Sequence, residues 1–190
     1  MITWAESYFD HYERILGAAQ RRDVFEITDT SSNIQVLAYK NVFPGCITFC
    51  TIGLSSFESR VGAISELVMT VDEGWEYIPK LLAESASFLI EKPMRVGWGF
   101  VIGGESQINS QYYEKFLKEA TYFTHPMGFP DDFFTIRKKD SDKVGEMYMG
   151  IPISVEEKEL FASLGAEEFE SKMEENNVDP FCLSRNSVVT

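Results

Sequence analysis

Histidine and cysteine are almost missing from this sequence, with two of the first and three of the second in 190 residues. His11 and His125 stand far apart with no short His or Cys pairing, which argues against a zinc site. Cys46, Cys50 and Cys182 are too few and too oddly spaced for a disulfide framework. Cys46 and Cys50 read as parts of one strand, where four residues span about 13 Å, too far for a disulfide. Reduced, buried thiols are expected. No apolar run is long enough to span a bilayer. Met1 to Glu6 holds no basic stretch leading into an apolar one, so no secretory signal is read and a cytoplasmic location is expected. Positive charge is scarce too: 17 Lys and Arg face 30 Asp and Glu, for a net charge of −13. Such a chain is repelled by nucleic acid and by anionic membranes, and it suits a basic partner.

Catalytic signatures are also lacking. No Ser or Cys in a nucleophile-elbow setting accompanies His125, which sits in Thr124-His125-Pro126. Gly97, Gly99, Gly103 and Gly104 form neither the dinucleotide fingerprint nor a phosphate loop. No cofactor or metal is implied and no enzyme is expected. What is present is apolar material: 44% hydrophobic and 14% aromatic residues, enough for a folded core.

The patterning predicts one α+β domain over residues 1–190, a mostly antiparallel sheet covered by helices. Trp4, Tyr8, Tyr12 and Ile15 or Leu16 make a helical stripe, opened by a Thr3–Glu6 capping box and stopped at Gly17. Arg21 to Asp23 reads as a loop. Strands are predicted at Val24–Ile27, Ile34–Tyr39, Cys46–Leu54 and Val61–Val71, with a polar turn from Thr28 to Asn33. Ile78, Leu81, Leu82, Phe88 and Leu89 form a second helical stripe, with Pro79 in its first turn and Pro93 at its end. Val96–Ile102 returns to strand. Residues 105–130 read as irregular, apart from a short helix at Tyr112–Lys118. Strands follow at Phe133–Arg137 and Val144–Ile153, joined by a charged turn from Lys138 to Lys143. Ser154 and Glu157 form a second capping box, and Gly165 divides that helix from another running to about Glu175.

Three features invite a functional reading. Gly97, Gly99 and Gly103 share one face of their strand, which admits either a covering helix such as Ile78–Leu89 or a docked peptide. Glu66 lies inside an apolar strand and needs a partner, for which Arg60 and Arg95 are candidates. Residues 151–190 hold nine acids against three bases, a solvated helix face or a lure for a basic partner. His11, beside Asp10 and Tyr12, reads as a surface residue.

Glu66-Leu67-Val68-Met69, then Trp75, then the helix from Ile78 to Leu89 ending at Pro93 form one recognisable block. Gly150-Ile151-Pro152-Ile153-Ser154-Val155-Glu156-Glu157, followed by Leu160 and Gly165, forms another. In order and spacing these blocks resemble the Suppressor-of-fused-like family, over roughly residues 30 to 165. The animal members bind a transcription factor through an extended peptide and carry an extra C-terminal domain. The chain looks like the bacterial single-domain branch, which resembles immunity proteins of LXG-type polymorphic toxins. The resemblance implies an antitoxin that binds and neutralises a cognate toxin with a basic surface, a nuclease domain among the candidates. The other reading is a peptide-binding adaptor or scaffold that captures an extended segment of a partner on a sheet edge. The partner-binding residues expected from charge and exposure are Asp131 and Asp132 in the irregular loop, and Glu156, Glu157 and Glu159 on the acidic helix.

Overall fold

The structure is a computed structural model and describes residues 3–27, 32–92, 94–103, 110–138 and 141–189. Helix α1 (Trp4–Leu16) opens on the expected capping box and ends at Gly17. Four antiparallel strands follow: β1 (Arg21–Glu26), β2 (Asn33–Lys40), β3 (Ile47–Ile52) and β4 (Ser65–Val71), with a short helix α2 (Glu58–Val61) between the last two. Helix α3 (Ile78–Glu91) leads to β5 (Phe100–Gly103), α4 (Ser110–Phe116), β6 (Ala120–Thr124), β7 (Thr135–Arg137) and β8 (Val144–Ile153). Helices α5 (Val155–Leu164) and α6 (Ala166–Glu175) follow, leading into a C-terminal segment. Among the described residues the sheet has eight strands in the order β1-β2-β3-β4-β8-β6-β5, with β7 also paired to β8. Every pair is antiparallel except β4–β8. The α+β architecture is therefore as expected.

Side-chain alternation places the helices on two faces. Leu67, Met69, Phe123 and Tyr148 point toward α3 and α4, in a cluster that also buries Leu82, Ala86, Leu89, Tyr112 and Phe116. Val68 and Met147 point the other way, against Tyr8 and Tyr12 of α1. Farther along that face Tyr122, Met149 and Ile151 meet Phe169 and Met173 of α6. The two predicted stripes are thus the buried faces of α1 and α3, and α6 buries Phe169 and Met173 in the same way.

Several boundaries differ from expectation. Arg21 to Asp23 are strand, because β1 continues its ladder onto Leu37 and Ala38 of β2. The residues preceding β4 are α2 and a turn, closed by Gly62 with φ +72°. Cys46 precedes β3 instead of lying in it, and both Cys46 and Cys182 are half-buried; only Cys50 is fully buried. Strand β5 starts at Phe100, so Gly97 and Gly99 lie outside it and no glycine face exists. A Cβ on Gly97 would meet nothing, whereas one on Gly99 would strike the side chain of Ala166. The neighbour that needs this glycine is α6, not α3. Residues 105–130 contain β6, a fully buried interior strand whose Thr, Tyr and Phe residues suit a pleated sheet. The predicted turns at Thr28–Asn33 and Lys138–Lys143, together with Pro93 and Gly104, lie wholly or partly outside the described residues.

Glu66 and His11 also differ. Neither Arg60 nor Arg95 answers Glu66. Its carboxylate accepts from the Thr51 hydroxyl (2.7 Å) and from the backbone N–H groups of Gly53 (2.8 Å), Leu54 (3.3 Å) and Ser55 (3.0 Å). Burial pushes this carboxyl up from its ordinary value, and the Thr51 hydroxyl and the backbone donors pull it back. One carboxylate thus satisfies the turn that follows β3. His11 is buried, its Nε2 3.2 Å from the Phe133 carbonyl and its ring 6.0 Å from that of Phe133. Burial pulls its pKa below the usual imidazole value.

Glu66→Gln replaces one of the two acceptor oxygens with an amide donor facing a backbone N–H. The loss expected in urea denaturation is about 3 kcal/mol; a loss under about 1 kcal/mol removes Glu66 as the organiser of that turn.

Candidate functional site

The acidic side chains proposed for partner binding do not converge. Asp131 and Asp132 are exposed on a 3-10 turn (Asp131–Phe133), where Asp132 pairs with Arg14 of α1 at 2.8 Å. The Arg14 hydrogen bond holds the Asp132 carboxyl below its ordinary value. Glu156 and Glu159 are exposed on α5. Glu157 is different: it is fully buried and is a structural residue. Its oxygens receive the two arms of the Arg185 guanidinium at 2.6 and 3.1 Å, the Ser154 N–H at 2.9 Å and the Val188 N–H at 3.0 Å. The second capping box is real, and its glutamate also anchors the C-terminal segment. Burial alone raises the Glu157 carboxyl, and Arg185 with the backbone donors brings it below its ordinary value.

The exposed side of α5 and α6 is acidic. Glu156, Glu159, Glu167, Glu168, Glu174 and Glu175 all face solvent, and Glu175 alone of these is ion-paired among the described residues, to Lys172. His125 is exposed and packs against Phe134, with ring centroids 4.4 Å apart.

The sheet edges offer more than the charges do. An edge strand turns every second N–H and C=O away from its one partner. Strand β1 guards its edge with Arg21, Arg22, Asp23 and Glu26. Strand β5, at the opposite edge, reads Phe100-Val101-Ile102-Gly103 and carries no charge. Beside it lies a groove of about 310 Å³, between α3 and the strand pair β5–β6. Leu81, Phe88, Ile102, Tyr112 and Ala120 supply its apolar lining, and Glu84, Glu91 and Glu119 its carboxylates. Lys80 partners Glu84 at 3.5 Å and Lys158 partners Glu119 at 3.2 Å, while Glu91 is exposed at the end of α3. An uncharged edge next to an apolar, acid-bordered groove has the form of a site for an extended peptide. Neither apolar periodicity nor charge could have marked it in the sequence, because its parts come from elements brought together only by folding.

The family profile of the Suppressor of fused protein (SUFU) matches residues 30–186. The chain belongs to this family. Its fold also matches solved structures. A Suppressor of fused homologue from Neisseria gonorrhoeae aligns with a TM-score of 0.76 at 16% identity, covering 98% of this chain and 97% of that one. A chain of the Sufu-Fu complex aligns at 0.68 and 10% identity, covering 97% and 91%. Drosophila Suppressor of Fused aligns at 0.67 and 9% identity, covering 96% of this chain and 50% of that one. No curated protein matches this chain in sequence.

Two sets of variants separate structural from surface acids. Glu157→Gln costs about 3 kcal/mol at neutral pH by leaving Arg185 buried without its charge partner. Because the folded pKa of Glu157 lies below its unfolded value, the ion pair stabilises fully above the unfolded value and is lost as pH falls through the folded one. The gap between wild type and Glu157→Gln therefore closes in acid, as read by denaturation at stepped pH. Asp131→Lys and Glu159→Lys, both on exposed residues, shift the melting temperature by no more than about 2 °C.

Proposed function

We propose that this SUFU-family chain is a protein-binding module that captures an extended segment of a partner along the β5 edge and the adjoining α3 groove. What carries the reading is the contrast between the two sheet edges: one is lined with charge and the other is apolar and uncharged beside a groove. Main-chain hydrogen bonds would supply affinity there, and the groove would select side chains. The Sufu-Fu complex shows the same fold within a protein assembly. The carboxylates at the groove and the net charge of −13 favour a segment with basic residues. The proposal gives the chain no catalytic role and a cytoplasmic place of action.

A narrower version makes the partner a toxin of the LXG type, with this chain as its immunity protein. Charge supports it: the acidic side of α5 and α6 would speed encounter with a basic nuclease domain. Co-expression with the cognate toxin domain tests that version, and continued killing in the presence of this chain rejects it.

The module itself is tested by selecting displayed peptides and measuring their binding to wild type and to Ser87→Trp. Ser87 is half-buried and lines the groove, so the indole fills the groove without entering the core. A loss of at least about tenfold in affinity is expected, as is a loss when proline enters the peptide backbone. Peptides that bind both forms equally would place the binding surface elsewhere.

A further inference from the structure

On the opposite face, a smaller pocket of about 110 Å³ lies between β6, β8, α6 and the segment that follows α6. Its walls are apolar: Met127, Ile151, Met173, Val178 and Pro180. Its polar end is Glu170, flanked by Tyr122 and Thr124. One oxygen of Glu170 accepts from the Trp98 indole N–H at 3.0 Å, from the Tyr122 hydroxyl at 2.7 Å and from the Thr124 hydroxyl. The carboxylate is thus fixed by three neutral donors. Among the described residues no ion pair reaches it, in contrast with Glu157. The exposed Glu174 adds a second negative charge to the lining. Trp98, 46% exposed, and Met127, 38% exposed, stand beside it as large apolar surfaces open to solvent.

The volume excludes a cofactor, because sites for drug-sized molecules start at roughly 300 Å³. Apolar walls that end in a fixed, uncompensated carboxylate complement a side chain with a long aliphatic stem and a cationic head. An exposed tryptophan beside such a pocket adds a cation–π surface and a typical interface anchor. We propose that this pocket receives one lysine or arginine side chain of a protein partner, with Glu170 as its counter-charge and Trp98 and Met127 as its rim. The identity of that partner rests on the protein-binding reading above, but the pocket is a second, separate point of attachment.

The test is a backbone-amide NMR titration of the full chain with N-acetyl lysine methylamide, its arginine counterpart and the neutral norleucine counterpart. The two cationic probes shift the signals of Tyr122, Thr124, Ile151 and Met173 at millimolar concentration, and the norleucine probe does not. The tighter of the two cations names the side chain. Glu170→Gln keeps an acceptor oxygen for the three donors and lowers affinity at least about tenfold. Val178→Phe fills the pocket and abolishes the shifts, which decides the matter should Glu170→Gln fail to fold. Equal shifts from the norleucine probe, no shift from either cation, or unchanged binding in both variants would overturn the proposal. These probes are too short to use the β5 edge, so their failure leaves the groove reading standing. A loss of peptide binding in Ser87→Trp likewise leaves this pocket untouched.

Discussion

A single parallel ladder holds the two halves of this sheet together. Ser65 to Val68 of β4 pair with Glu146 to Met149 of β8, and among the described residues no other ladder links the first four strands to the last four. A parallel pair cannot be closed by a tight turn, so the chain between β4 and β8 must travel. On the way it builds α3, β5, α4, β6 and β7. The junction is pinned from one face by Tyr8, whose hydroxyl lies 3.0 Å from the Ile64 carbonyl and 2.9 Å from the Glu146 carbonyl. Gly145 makes room for that ring, since a Cβ there would meet the Tyr8 hydroxyl at 2.5 Å. Glu66, within the same ladder, reaches sideways to bind the turn after β3. One short ladder therefore carries the register of the sheet, a helix contact and a loop.

That constraint explains which parts of the fold could be read from the sequence. Elements with local signals were legible. The α1 and α3 stripes, both capping boxes and the long β8 stand where periodicity placed them. Elements defined by distant partners were not. β6 has five residues in a stretch rich in Pro and Gly, and only its neighbours β5 and β8 make it an interior strand. Arg21 and Arg22 look like loop residues because an edge strand carries charges. The candidate groove belongs to the same class, since α3, α4, β5 and β6 meet there only through the β4–β8 crossover. The acids chosen from charge alone were legible as surface except Glu157, whose place in a capping box was legible but whose burial against Arg185 was not.

The edges follow from the same topology. Placing β8 beside β4 sends β6 and β5 outward, so β5 becomes an edge. Its four residues are short enough to limit self-association, one of the ways natural sheets tame an edge. Yet it lacks the charges that guard β1. A strand that is short, apolar and set beside a groove is poorly suited to pairing with a second copy along its length. It is better suited to a partner segment that also fills the groove.

Three glutamates show why function hides in such a chain. Glu66, Glu157 and Glu170 are identical letters among thirty acids. Glu66 is answered by backbone N–H groups and one hydroxyl, so it organises a turn. Glu157 is answered by a buried guanidinium, so it fastens the C-terminal segment. Among the described residues Glu170 is answered by three neutral donors and no cation, which orients its charge without cancelling it. A half-buried charge that is oriented but not cancelled keeps its attraction for a cation, and the low polarity of its pocket strengthens that attraction. Environment, not residue type, divides these three into two structural glutamates and one left available to a partner.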